Sequence, residues 1–249
     1  MASANRAALI TGSGRNMGRA CARELASMGF NIVVNGSRNR DDCERVADEV
    51  RAIGTDALIV MADVGDRAAV NDMAGRALTT FGRIDALYNN AAIRPGSTFL
   101  DMTEDDLARV MNVNLHAAVW LSRAFLPGMV DNGWGRIVNN AGTNSLRGTA
   151  GRPHVAMSKH ASWGLTKALS REFGPLGVTA NMISPGTFPD EDEDEDAASL
   201  ERYQDLLQQI PVGRLGRHDD IAAVVGLLCS DRGAFINGQL IAVNGGVVG

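Results

Sequence analysis

Thr11-Gly12-Ser13-Gly14-Arg15-Asn16-Met17-Gly18 closes the apolar run Ala7 to Thr11 and opens an amphipathic segment, Met17 to Met28. Glycines at this spacing let a backbone leave a strand, turn sharply and enter a helix. The start of that helix offers unpaired N–H groups and a positive dipole end to a pyrophosphate. A glycine-rich loop set between a first strand and a helix is far more specific than such a loop alone. The stretch therefore predicts a βαβ unit with an anion site at its first helical turn.

Working outward, short β-branched or apolar runs alternate with helical-period segments to the end of the chain. Strands are predicted at Ala7 to Thr11, Asn31 to Asn35, Ala57 to Met61, Ala86 to Asn89, Arg136 to Asn140, Thr179 to Ile183 and Leu240 to Val243. Helices are predicted at Met17 to Met28, Asp41 to Ile53, Arg67 to Phe81, Glu104 to Met129, Val155 to Phe173 and Asp219 to Cys229. Asp66 and Thr103 are read as N-caps, and Gly29, Gly54 and Gly174 as helix stops. The alternation predicts an α/β fold: a Rossmann-type, doubly wound, seven-stranded parallel sheet with helices on both faces. Residues 1–249 read as one dinucleotide-binding domain, with a lid insertion at about 187–212.

Composition narrows the function class. The chain is 45% hydrophobic but only 5% aromatic, with 28 glycines, as suits a sheet covered by closely packed helices. Seven consecutive acids, Asp190 to Asp196, outweigh the whole formal charge of -5, so the acidity is local. No basic stripe points to nucleic acid. No run approaches the roughly 18 apolar residues of a membrane span, and no targeting sequence opens the chain. Cys21, Cys43 and Cys229 have neither CxxC nor metal spacing. The expectation is a cytoplasmic protein without a metal, acting on a small molecule.

The opening loop resembles the TGxxxGxG of the short-chain dehydrogenase/reductase family, with Asn16 where the middle glycine would stand. Asn tolerates positive φ better than other non-glycine residues, so the turn survives, but a side chain now enters the phosphate loop. The resemblance continues in register through Asp63-Val64, Asn89-Asn90-Ala91-Ala92, Asn114, Pro185-Gly186 and Gly238-Gln239 to Gly245-Gly246. It implies a nicotinamide dinucleotide held by Gly12, Ser13, Arg15, Asn16, Met17, Gly18, Arg38, Asp63, Val64, Asn90, Ala91, Lys159, Pro185 and Gly186. It also implies a homo-oligomer, commonly a tetramer built on the two long helices. After the second strand stands Asn35-Gly36-Ser37-Arg38, without the acid that would contact a ribose 2′-hydroxyl in an NAD enzyme. Arg38 and Arg15 favour NADP(H) over NAD(H) on electrostatic grounds.

The same resemblance implies a Ser, a Tyr, a Lys and an Asn at the reacting centre. Val155-Ala156-Met157-Ser158-Lys159 aligns with YxASK, which retains Lys159 but puts Val155 at the tyrosine. The usual interval back from there puts Gly142 at the serine. Asn114 is retained. Loss of a general acid costs about 10²- to 10⁴-fold in rate and loss of an oxyanion-type donor about 10²- to 10³-fold. His154 is the nearest substitute acid, although on a continuous helix it points about 100° away from Val155 and reaches the site only if the helix begins after it. Thr143 and Ser145 are candidate replacements for the serine, or turn residues. Three functions fit: an NADP(H)-dependent oxidoreductase of ketones or secondary alcohols using Lys159, Asn114 or His154 for the proton; a non-redox lyase, isomerase or cyclase on the same scaffold; and a catalytically silent binding subunit.

Overall fold

The computed structural model describes residues 6–191 and 203–247. Seven strands form one sheet: β1 Ala7–Ile10, β2 Asn31–Gly36, β3 Ala57–Met61, β4 Ala86–Asn89, β5 Gly135–Asn140, β6 Val178–Pro185 and β7 Leu240–Val243. Their order is β3-β2-β1-β4-β5-β6-β7, and every neighbouring pair is parallel. The central strands are buried on both faces, which is why they read as continuous apolar runs and not as alternating ones.

Helices α1 Asn16–Ser27, α2 Arg40–Ile53 and α8 His218–Leu228 cover one face, where Leu25, Val46 and Val225 meet Ile10 and Val34. Helices α3 Arg67–Phe81, α5 Ala117–Asp131 and α7 Pro153–Phe173 cover the other, where Met73, Leu121 and Leu169 meet Leu9 and Ile137. Asp66 caps α3 by accepting from the amides of Ala68 and Ala69, and Thr103 forms a reciprocal capping box with Asp106. Gly54 ends α2 in the left-handed region at φ 109°. All three cysteines are buried free thiols. Among the described residues no helix is long and apolar enough to cross a membrane.

Three local expectations need correction. The helix predicted unbroken from Glu104 to Met129 is α4 Glu104–Met111, then a π-helical turn at Asn112–His116, then α5. Within it the amide of Ala117 donates to the carbonyl of Asn112, five residues back. The extra residue draws Asn114 inward, where its side chain brackets Ile93. A short helix, α6 Thr143–Arg147, lies after β5 where none was expected. Helix α7 starts at Pro153, two residues earlier than predicted, because proline's fixed φ suits a first helical position.

The strand order reverses beside β1, whose neighbours are β2 and β4. That reversal opens a crevice at the carboxyl ends of the strands, and the loops after β1 and β4 both enter it.

Candidate dinucleotide and substrate site

The loop after β1 is held in shape by two asparagines, Asn35 and Asn90. Asn35 Oδ1 accepts from the amide of Gly12 at 3.1 Å, while Asn35 Nδ2 donates to the carbonyls of Val60 and Ala62, each at 3.1 Å. Asn90 Nδ2 donates to the carbonyls of Thr11 and Gly12, and the amides of Asn90 and Ala91 both donate to Thr11 Oγ1. A Cβ at Gly18 would overlap the Gly12 carbonyl and lie 2.7 Å from Ser13 Cα, so only glycine allows α1 to approach this loop. Gly12 and Ser13 direct their amides into Asn35. The first-turn amides of Asn16, Met17 and Gly18 open α1, and the Arg15 side chain ahead of them makes no capping hydrogen bond.

Asn16 adopts φ 52°, the sole positive φ at a non-glycine among the described residues, as its place in the turn requires. Its side chain does not face an open phosphate loop. Nδ2 donates to Asp190 Oδ1 at 2.6 Å, and Oδ1 accepts from the amide of Glu191 at 2.9 Å. Glu191 also pairs with Arg19 at 3.1 Å and lies 3.8 Å from His218 Nδ1. The first two members of the acidic run are thus fastened across the start of α1; the other five lie outside the described residues.

Arg15 and Arg38 are exposed, and Asp63 and Val64 follow β3. Hydrogen bonding to the Arg109 guanidinium at 2.7 Å and to the Gly65 amide holds the Asp63 carboxyl below its usual range. Val64 is buried in the core.

At the other end of the crevice, Lys159 is buried, and its Nζ donates to the carbonyl of Asn140 at 2.6 Å. Burial, reinforced by the Arg94 guanidinium, brings its pKa down to about 7. Asn114 Nδ2 reaches Ser158 Oγ at 3.2 Å, which ties the π turn to the helix that carries Lys159. Val155 is 1% exposed and lines a cavity of about 110 Å³ with Gly142, Thr143 and Gly186. Pro185 ends β6 beside it, and the Gly186 amide donates to Val243.

His154 does not join this group. Since α7 begins before it, His154 turns away from the cavity lined by its neighbour Val155 and is fully buried, and neither ring nitrogen has a partner among the described residues. Thr143 lines the cavity, but its hydroxyl donates to the Pro185 carbonyl at 3.2 Å. The side chain of Ser145 lies outside what the structure describes. Two lining residues, Arg94 and Arg152, were missed in the sequence. Their signals were available: Arg94 stands two residues after the Asn-Asn-Ala-Ala motif, and Arg152 three residues before the tyrosine position.

The turn at Gly12 to Gly18 and the buried Lys159 fit a nicotinamide dinucleotide, with Asp190 and Glu191 as an opposing charge. Neutralising both, by Asp190→Asn with Glu191→Gln, is expected to tighten dinucleotide binding at least about tenfold, because two carboxylates beside a pyrophosphate site repel it. Titration calorimetry at low and high salt checks this, and the gain should shrink as salt rises.

Comparison with known proteins is consistent with this geometry. Residues 12–248 match a family model described as enoyl-(acyl carrier protein) reductase. The chain is 34% identical to the 3-oxoacyl-[acyl-carrier-protein] reductase FabG of Staphylococcus aureus, over 97% of this chain and 98% of that one. It is 37% identical to the (2S)-[(R)-hydroxy(phenyl)methyl]succinyl-CoA dehydrogenase subunit BbsD of Thauera aromatica, over 97% of this chain and 96% of that one. A solved structure of a Serratia marcescens short-chain dehydrogenase/reductase variant superposes with a TM-score of 0.89 at 32% identity, covering 97% of each chain.

Proposed function

The chain belongs to the short-chain dehydrogenase/reductase family of oxidoreductases, and from that premise we propose that it serves a nicotinamide-dependent oxidoreductase as a binding subunit that does not itself move the proton. One observation carries the reading. The helix that holds Lys159 presents Val155 to the cavity, and Gly142 faces it from the end of β5, so no hydroxyl stands at either position. Neither side chain can donate a proton to a ketone oxygen or polarise it.

When bound, the dinucleotide supplies hydride chemistry; this chain's residues hold and orient it. The amides of Asn16, Met17 and Gly18 take the pyrophosphate, with Gly12 and Ser13 shaping the turn and Asn90 and Ala91 bracing it. Asp63 and Val64 border the adenine, Lys159 the nicotinamide ribose, and Pro185 and Gly186 the nicotinamide. Arg15 and Arg38, with no acid at the end of β2, favour NADP(H) over NAD(H). Residues 1–249 act as one domain, with 187–212 as a lid whose described start, at Asp190 and Glu191, closes on α1. The buried free thiols suit a cytoplasmic, reducing setting.

Assembly runs through the outer faces of α4, α5 and α7, with a second copy of this chain or with an active homologue; the Thauera relative is itself described as a subunit. The purified chain alone, mixed with NADPH or NADH and a panel of 3-oxoacyl thioesters and simple ketones, is expected to leave the nicotinamide absorbance unchanged. Turnover by the chain alone would overturn the reading.

A second reading has its own support. A lysine with pKa about 7 is a competent acid at neutral pH, and a water between Lys159 and a substrate oxygen would make the chain a slow ketone reductase. Turnover whose pH profile follows that lysine, and which Lys159→Met abolishes, would select it.

A further inference from the structure

The cavity beside Val155 carries a charge that no step above uses. Arg94 lies on the loop after β4, and Arg152 is the N-cap of α7. A backbone hydrogen bond from the Ser97 amide to the Gly151 carbonyl, 2.7 Å long, ties their two loops together. Both arginines line the same cavity, and no Asp or Glu is among its lining residues. Neither guanidinium has an ion pair or hydrogen bond among the described residues. By contrast Arg19 is paired with Glu49 and Glu191, and Arg109 with Asp63.

The rest of the wall says what kind of anion fits. Val155, Pro185 and Val247 form an apolar side, and Thr187 adds a hydroxyl. An inorganic anion would leave the apolar side wet. An organic acid fills both: its carboxylate meets the guanidinium forks, whose planar geometry matches two carboxylate oxygens, and its carbon skeleton covers the valines.

We propose that this cavity is a binding site for a small organic acid, held through its carboxylate by Arg94 and Arg152 with its uncharged part against Val155 and Pro185. For an oxo acid this orientation leaves the oxo group between Val155 and Gly142. The inference goes beyond the subunit reading and needs neither turnover nor bound nicotinamide.

The test is titration calorimetry on the full chain with three probes: levulinate, its neutral methyl ester and inorganic phosphate. Levulinate is expected to bind in the millimolar range, and the ester and phosphate at least tenfold more weakly. Arg94→Gln and Arg152→Gln should each weaken levulinate about tenfold or more, as loss of a charge-assisted pair does. Both side chains are exposed, so the variants should fold, and circular dichroism verifies it. Equal binding of ester and acid, preference for phosphate, absence of levulinate binding, or unchanged affinity in both folded variants would overturn the proposal. Turnover by the wild-type chain would sink the subunit reading while leaving this result standing, so the two failures are distinguishable.

Discussion

Placing tyrosine at position 155 and serine at position 142 together is expected to confer dinucleotide-dependent ketone reduction at least about 10²-fold above any residual rate of the wild-type chain. A positioned general acid contributes about 10²- to 10⁴-fold and a polarising donor about 10²- to 10³-fold, and groups that act as a unit do not add. The geometry accepts both changes. Val155 lies one helical turn before Lys159 and borders the cavity, so a phenol there is directed toward the cavity on the face of the helix that carries the lysine. Gly142 has φ 171°, extended backbone that serine adopts without strain. The readout is kcat/KM with NADPH and a 3-oxoacyl thioester, alongside calorimetry of the dinucleotide. Each single variant should give a small part of the gain. A double variant that binds the dinucleotide and yet shows no gain would mean that the scaffold around the two positions has also lost the reaction.

The second large effect concerns stability and pH. Lys159 is buried and its folded pKa is about 7, against 10.5 unperturbed. Between those values the unfolded chain holds a proton that the folded chain has released, so stability from this site rises with pH across the window. It is fully present above pH 10.5 and is lost as pH falls through 7. The whole span is on the order of 4–5 kcal/mol. Lys159→Met removes the penalty of a buried ammonium but leaves the Asn140 carbonyl without its donor, a cost of about 1–3 kcal/mol. The variant is therefore expected to be about 2 kcal/mol more stable than the wild type at pH 6 and less stable above pH 10. Urea unfolding at both pH values decides the matter. A variant less stable at every pH would show that the lysine stays charged and well satisfied where it lies.

Most of the fold was legible because the signals were local. Double burial produces continuous apolar strands such as Ala7 to Ile10, and side-chain caps mark helix starts at Asp66 and Thr103. What stayed hidden depended on contacts distant in sequence. The partner of the Asn16 side chain is 174 residues away at Asp190, so nothing near the loop announced that the asparagine anchors an acidic segment. His154 could meet the cavity only from a helix that began after it, and α7 begins before it, at Pro153. Arg94 and Arg152 are 58 positions apart by their numbers, and only folding makes them one charge cluster.

The π-helical turn at Asn112–His116 reaches beyond the asparagine it positions. One additional residue there advances everything downstream by about 100° around the axis relative to an unbroken α-helix. A helical wheel drawn continuously from Glu104 to Asp131 therefore misplaces the residues of α5 by that angle. Any partner chain that packs along both α4 and α5 must meet two stripes offset in phase. Deleting one residue from the turn would bring the stripes into line only by swinging Asn114 away from Ile93 and Ser158, so the outer contour of this helix pair and the inner end of the crevice are adjusted by the same five residues.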